Sequence, residues 1–185
     1  MNYYHGSKSG EIKMLDTEHS KDGYVYVTSN RLVALAYAAR TAINLFGTLR
    51  ADKKIVVFRE YLPDFLRKTT DGVSGYIYTL EEKEYEPIKI NDHCAFCDCY
   101  KVKGNVRVVK REFILNLYEE LMKYCESGEF VYRKYEYWTD EQRLAEIKQI
   151  CKAIRGFSDE KYLKNKEIYD QFLEEEKRLA SKLEN

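Results

Sequence analysis

The spacing of apolar and polar residues divides the chain into a long first part of short alternating runs and a last third of helix-like periods. Tyr3-Tyr4-His5 reads as a short first strand, and Gly6-Ser7-Lys8-Ser9-Gly10 reads as a loop by composition. Gly23 to Thr28 alternates aromatic and β-branched residues, which predicts a strand. Ser29 or Asn30 suits the cap of a following helix. From Arg31 to Phe46 apolar residues fall on most sides of a helix, which predicts a buried one that Gly47 stops.

Strand-like runs recur at Lys53 to Glu60, Gly75 to Leu80, Cys97 to Val102 and Val106 to Val109. Pro63, Asp71 and Gly72 mark a short helix or loop between the first two, and Lys103-Gly104-Asn105 marks a turn between the last two. Glu112 to Tyr124 has a helical period. Thr139-Asp140-Glu141-Gln142 has the capping-box form and opens a helix running to about Ile154. Ser158 can cap another from Asp159 to near Leu183, with Tyr162, Ile168, Tyr169, Phe172, Leu173 and Leu179 as its apolar stripe. The pattern predicts an α+β core over residues 1–127 and a C-terminal helical extension over 128–185, with the boundary near Gly128 to Lys134.

A chain of 185 residues suffices for one domain, or for a domain with a helical appendage. With 44% hydrophobic and 34% charged residues, the composition is that of a soluble globular protein. The 31 basic and 31 acidic residues cancel, so no global field draws the chain to nucleic acid or membrane. One local exception is the basic cluster Lys101, Lys103, Arg107, Lys110 and Arg111. Its commonest meaning is solvated surface; a phosphate or macromolecular target is the sharper one. No apolar run approaches the roughly 18 residues of a membrane span, and Met1 to His5 has no basic start or apolar signal core. The expected location is the cytoplasm. The 17 tyrosines can build a core or line a pocket for planar rings.

Candidate chemistry narrows by exclusion. No phosphate loop and no Gly-x-Gly-x-x-Gly occurs, and no serine stands in a nucleophile elbow. Cys94-x-x-Cys97, with His93 or Cys99, has the form of a zinc knuckle. No second pair at knuckle spacing follows, so reduced strand or loop cysteines are the favoured reading and no metal is expected. His19 and His93 have no partners at ligand spacing. Cys125 and Cys151 sit in helical patterns, where cysteine behaves as a small apolar residue.

His5-Gly6-Ser7 by itself is a strand end with a turn glycine. An imidazole there can donate to a ribose hydroxyl, and a bare glycine backbone lets a flat amide approach. Tyr26 on a strand and Tyr37 on the next helix supply two ring faces that can sandwich a planar ring; as core aromatics they need no ligand.

Tyr4-His5-Gly6-Ser7, then Gly23-x-x-Tyr26-x-Thr28, then Ala34-x-x-Tyr37-Ala38, resembles the first two motifs of the ADP-ribosyltransferase fold. The likeness is to the diphtheria-toxin-like and poly-ADP-ribose-polymerase branch. Cys99-Tyr100-Lys101-Val102 with Val106-Arg107-Val108-Val109 is similar to the late strands of the rifampin ADP-ribosyltransferase group. The resemblance covers roughly residues 3 to 118. It implies a split mixed β-sheet around an NAD cleft, with NAD as substrate. His5 would hold the adenosine-side ribose, Gly6 would read the nicotinamide carboxamide, and Ser7 would assist. Tyr26 and Tyr37 would pack the nicotinamide ring, with Thr28 in the same motif.

The family's third motif is a glutamate that holds the nicotinamide ribose and stabilises the cationic transition state. The aligned position here is Cys99, beside Asp98. Asp98 is the favoured substitute, then Glu112, with Glu84 and Glu86 also in the region; strand alternation sets Asp98 and Cys99 on opposite faces. The resemblance therefore implies either an ADP-ribosyltransferase (or NAD glycohydrolase) acting on an unknown protein, nucleic-acid or small-molecule acceptor, or a degenerate module that binds NAD or ADP-ribose and acts through protein interaction. The related RNA phosphotransferase branch needs a basic constellation that this sequence does not assemble. The C-terminal helices would cover the core, bind a partner or self-associate, because their apolar stripe must be buried.

Overall fold

The computed structural model describes residues 1–18, 22–48, 55–89 and 96–184. Among the described residues there are ten strands: β1 (Tyr4–Ser7), β2 (Met14–Leu15), β3 (Tyr24–Thr28), β4 (Phe46–Thr48), β5 (Val56–Arg59), β6 (Gly75–Leu80), β7 (Glu86–Pro87), β8 (Cys99–Lys103), β9 (Val106–Ile114) and β10 (Phe130–Arg133). Helices α1 (Arg31–Ala38), α2 (Phe65–Thr70) and α3 (Leu117–Glu126) lie among them, and α4 (Asp140–Arg155), α5 (Asp159–Lys164) and α6 (Lys166–Glu184) follow. No helix among the described residues is long and apolar enough to cross a membrane.

Seven strands form one sheet in the order β2-β9-β6-β1-β3-β8-β7, and three form another in the order β10-β5-β4. Every neighbouring pair in the larger sheet runs antiparallel. The mixed character expected of the core is confined to the small sheet. There β4 is antiparallel to β5. On the other side of β5, the Val56 N–H donates to the Glu129 carbonyl and the Glu60 N–H to that of Arg133, so β5 and β10 advance together.

The chain divides into two compact units: residues 1–58 with 66–132, and residues 59–65 with 133–185. In the first, one face of the large sheet packs Leu15, Val25, Val27, Tyr78, Leu80, Tyr85, Val102 and Val106 into a core. Helix α1 is buried along Leu32, Val33, Ala34, Leu35, Ala36 and Ala38. In the second, α4 and α6 bury Leu144, Ile147, Cys151 and Ile154 with Tyr169, Phe172 and Leu179. Glu175 is buried there too, accepting from the Tyr135 hydroxyl at 2.8 Å and from Arg178 Nε at 2.7 Å. A carboxylate so enclosed persists because its oxygens are occupied by donors.

Capping chemistry decides where several helices begin. Thr139 and Gln142 form the reciprocal box that their spacing predicts, and the Ser158 hydroxyl accepts from the Lys161 N–H. Four expectations are corrected. Gly6 and Ser7 belong to β1 rather than a loop. Helix α1 ends at Ala38, eight residues before the expected Phe46. The Thr41 hydroxyl donates to the Ile43 carbonyl at 2.7 Å, and Phe46 instead pairs with Phe58 across β4 and β5, ring centroids 4.8 Å apart. Strand pairing with a buried aromatic outweighs the local helical period there. The helix expected from Glu112 starts at Leu117, because β9 stays paired with β6 to Ile114 and Asn116 then caps the Tyr118 and Glu119 N–H groups. The single helix expected from Asp159 is broken at Asn165 into α5 and α6.

Gly6 is the point at which α1 meets the sheet. A Cβ built on Gly6 would lie 1.7 Å from the Ala34 carbonyl oxygen and 2.9 Å from the Ala38 nitrogen. Both atoms belong to helix backbone, so no side-chain rotation relieves the clash. Gly6→Ala should destabilise the first unit by about 3 kcal/mol or more. That corresponds to a melting temperature lower by about 6 °C or more. A calorimetric scan within about 1 °C of the parent would show that α1 does not touch β1 this closely.

Candidate functional site: the split between β1 and β3

Strands β1 and β3 register through the pair Tyr4↔Thr28. A continued ladder would set Gly6 opposite Tyr26. The ladder is not continued beyond Tyr4, which leaves a split between the strands, and His5 Nδ1 lies 3.3 Å from the Tyr26 carbonyl oxygen. A carbonyl only accepts, so Nδ1 carries the proton and Nε2 of the neutral ring is left as an acceptor. Burial pushes the His5 pKa below its ordinary 6.5, against the Tyr26 carbonyl, which favours the charged form. At pH 7 the neutral ring therefore offers Nε2 as a hydrogen-bond acceptor.

The ladder on the other side of β1 fixes the direction of the Gly6 backbone. The Leu80 N–H donates to the Tyr3 carbonyl at 2.9 Å, and His5 and Ser7 oppose Tyr78 and Tyr76 in the same phase. Tyr3, His5 and Ser7 therefore turn their backbone groups toward β6, and Tyr4 and Gly6 turn theirs toward β3. Beyond Tyr4 the N–H and C=O of Gly6 face the split. The Cβ side of Gly6 is taken by α1.

Tyr26 is 47% exposed on β3, and its hydroxyl donates to Asp22. That bond, ahead of burial and the Asp22 charge, pushes the phenol up to about 12. Lys101 stands directly opposite Tyr26 on β8, and its ammonium lies 4.5 Å from the Tyr24 ring centroid. Tyr37, half-buried on α1, rests its ring against Phe96 at 5.2 Å. Ser7 and Thr28 have local duties. The Ser7 oxygen accepts from the Ser9 N–H, and the buried Thr28 oxygen accepts from the Asn30 N–H at the mouth of α1.

The two candidate carboxylates are placed very differently. Asp98 directly precedes β8, where Cys99 opposes Thr28. Its backbone is left-handed at φ 57°, and its carbonyl accepts from the Ser29 N–H at 3.0 Å, so Asp98 adjoins the end of β3. Glu112 lies on β9 opposite Ile77, with β6 between it and β1. Both Glu112 oxygens are held by Arg31, through Nη2 and, at 3.2 Å, through Nε. Arg31 also donates to the Tyr124 hydroxyl at 2.6 Å and to Glu120 at 3.0 Å. Partial burial works against its charge, and these partners raise its pKa all the same.

Arg31, Asp22 and Phe96 are neighbours that motif reading gave no role, and Lys101 was read only within a late strand and a basic cluster. Arg31 carried a signal, since a cation in the first turn of a helix opposes the helix dipole and requires acidic partners. Among the described residues no group of three or more His, Cys, Asp or Glu side chains is placed to hold a metal. Cys97 and Cys99 are buried. His19, His93 and Cys94 lie outside the described residues.

The His5 geometry has a direct test. Followed by imidazole NMR shifts, His5 should titrate with a midpoint below 6.5 and in the Nδ1–H tautomer at neutral pH. Its folded pKa is depressed, so the unfolded chain takes the proton first. Stability from this group is intact above pH 6.5 and is lost as the pH falls through 6.5 toward the folded value. A midpoint above 6.5 would mean that burial does not govern the ring. No family model, no curated protein and no solved structure matches this chain.

Proposed function

We propose that the split between β1 and β3 binds NAD in the manner of the ADP-ribosyltransferase fold, and that the chain cleaves the nicotinamide–ribose bond. The observation that carries this reading is the backbone of Gly6, whose N–H and C=O face the split beside the His5 ring. One donor and one acceptor in a single residue match the carbonyl and amine of a carboxamide. His5 Nε2 would accept from a ribose hydroxyl. The exposed Tyr26 ring, turned by its bond to Asp22, would lie against the nicotinamide, with Tyr37 as the second aromatic wall.

Nicotinamide then departs with the electron pair of the C–N bond, which leaves a cationic ribose carbon. A nucleophile on the acceptor, or water, bonds to that carbon and gives up its proton to solvent. The protein lowers this barrier with a negative charge near the developing cation. Asp98 is the carboxylate proposed for that role, because it adjoins Thr28 and Ser29 at the end of β3. Glu112 is the weaker candidate, since Arg31 already holds both its oxygens.

A second reading is favoured by that same ion pair. A fold that carries Cys99 at the aligned third-motif position, with Glu112 held by Arg31, can bind NAD or ADP-ribose without cleaving it and act through a protein partner. Purified protein given nicotinamide-labelled and adenine-labelled NAD, with and without cell extract, separates the two. The enzyme reading predicts nicotinamide release, reduced about 10- to 100-fold in His5→Ala, Tyr26→Ala and Asp98→Asn. Calorimetric NAD binding without release or label transfer supports the module. No binding removes both.

A further inference from the structure

Toward the β2 edge of the large sheet, strand β9 and the segment before β2 enclose an open hollow of about 670 Å³. Its lining is Glu11, Ile12, Lys13, Arg107, Val108 and Arg111. Backbone pairing fixes the wall, because Val108 donates to the Lys13 carbonyl at 3.0 Å and Met14 opposes Arg107. Three cations therefore share one concave surface with a single lining carboxylate, Glu11.

The arginines are anchored, yet most of their donors remain. Arg111 gives Nη1 to the Gly10 carbonyl and lies 5.6 Å over the Tyr76 ring. The rest of its planar fork is unspent. Arg107 gives its backbone N–H and its Nε to Glu81, at 3.0 and 3.5 Å, and Glu81 is also met by Lys83 at 3.2 Å. The Arg107 side chain remains 67% exposed. Beside the hollow, Phe113 is 53% exposed with its ring 5.2 Å from that of Tyr76. Arginine forks next to exposed aromatic surface suit a phosphate ester whose base stacks nearby better than they suit a bare carboxylate.

We propose that this hollow is a binding site for phosphate esters, those of a nucleotide or of a single-stranded nucleic acid, with Lys13, Arg107 and Arg111 as the phosphate contacts. The site is separate from the split, and the proposal stands whether or not NAD binds there. It gives a specific meaning to Arg107 and Arg111 of the basic cluster, while Lys101 and Lys103 lie on β8 beside Tyr24.

Fluorescence anisotropy tests it with a labelled single-stranded 12-mer, AMP as a competitor, and a labelled polyglutamate peptide of similar charge. The 12-mer should bind with a logarithmic salt slope of about −2, from three phosphate contacts at about −0.7 each. Lys13→Gln with Arg107→Gln should weaken it at least about 10-fold, the lost exposed ion pair to Glu81 lowering the melting temperature by no more than about 4 °C. This pair leaves Arg111 and its bond to Gly10 in place. Affinity that rises from AMP to the 12-mer assigns a strand, and equal affinity assigns a nucleotide-sized ligand; either supports the site. Equal binding of polyglutamate overturns the phosphate assignment. No binding below about 1 mM, or binding unchanged by the double variant, overturns the site itself.

Discussion

The backbone of α1 lies against the backbone of β1, and the rest of the first unit is arranged around that contact. Ala34 and Ala38 can come this close only because residue 6 has no side chain. The helix is therefore held over the strand, its small and aliphatic residues buried on nearly every side. A helix at this position must begin just after β3, so Thr28, Ser29 and Asn30 become a tight junction. Asn30 caps the Leu32 N–H, Thr28 receives the Asn30 N–H, and Asp98 receives Ser29. The parting of β1 from β3 after Tyr4↔Thr28 lies beside the same junction.

Electrostatics completes the junction. Arg31 opens α1 where the helix dipole disfavours a cation. Glu112 from β9, and Glu120 and Tyr124 from α3, surround its guanidinium. One side chain in this way ties the helix to a strand two places from β1 and to a second helix. The same arrangement occupies both oxygens of Glu112, while Asp98 adjoins the end of β3 through the Ser29 N–H.

Much of this was legible in the residues. Local chemistry that acts within four positions was read directly: the Thr139–Gln142 box, the Ser158 cap and the turn at Gly104, whose φ of 77° needs glycine. The alternation of Tyr24 to Thr28 and Gly75 to Leu80 marked two central strands. Legibility failed where distant pairing decided the outcome. Phe46 has a helical neighbourhood in sequence, and its partner Phe58 lies beyond any local window. Glu112 begins a helix-like period yet is held in β9 by β6 and by Arg31. Asn116 with Glu119 carried the true start of α3, the cap with an acid three residues on, and was overlooked. At the site, the identities of His5, Gly6 and Tyr26 suggested a pocket. Which ring nitrogen donates, and which side of Gly6 is open, depended on strand phase and on the position of α1.

The proposed NAD site would present the in-plane N–H and C=O of Gly6 to the ligand. Titration of NAD into isotopically labelled protein tests it most directly, with the Gly6 amide and the His5 Nε2 followed together by NMR. The account predicts that both signals move with one common dissociation constant, the Gly6 amide downfield as it gains an acceptor. Saturating NAD that leaves the Gly6 amide unmoved, or that shifts only residues away from β1 and β3, would contradict it.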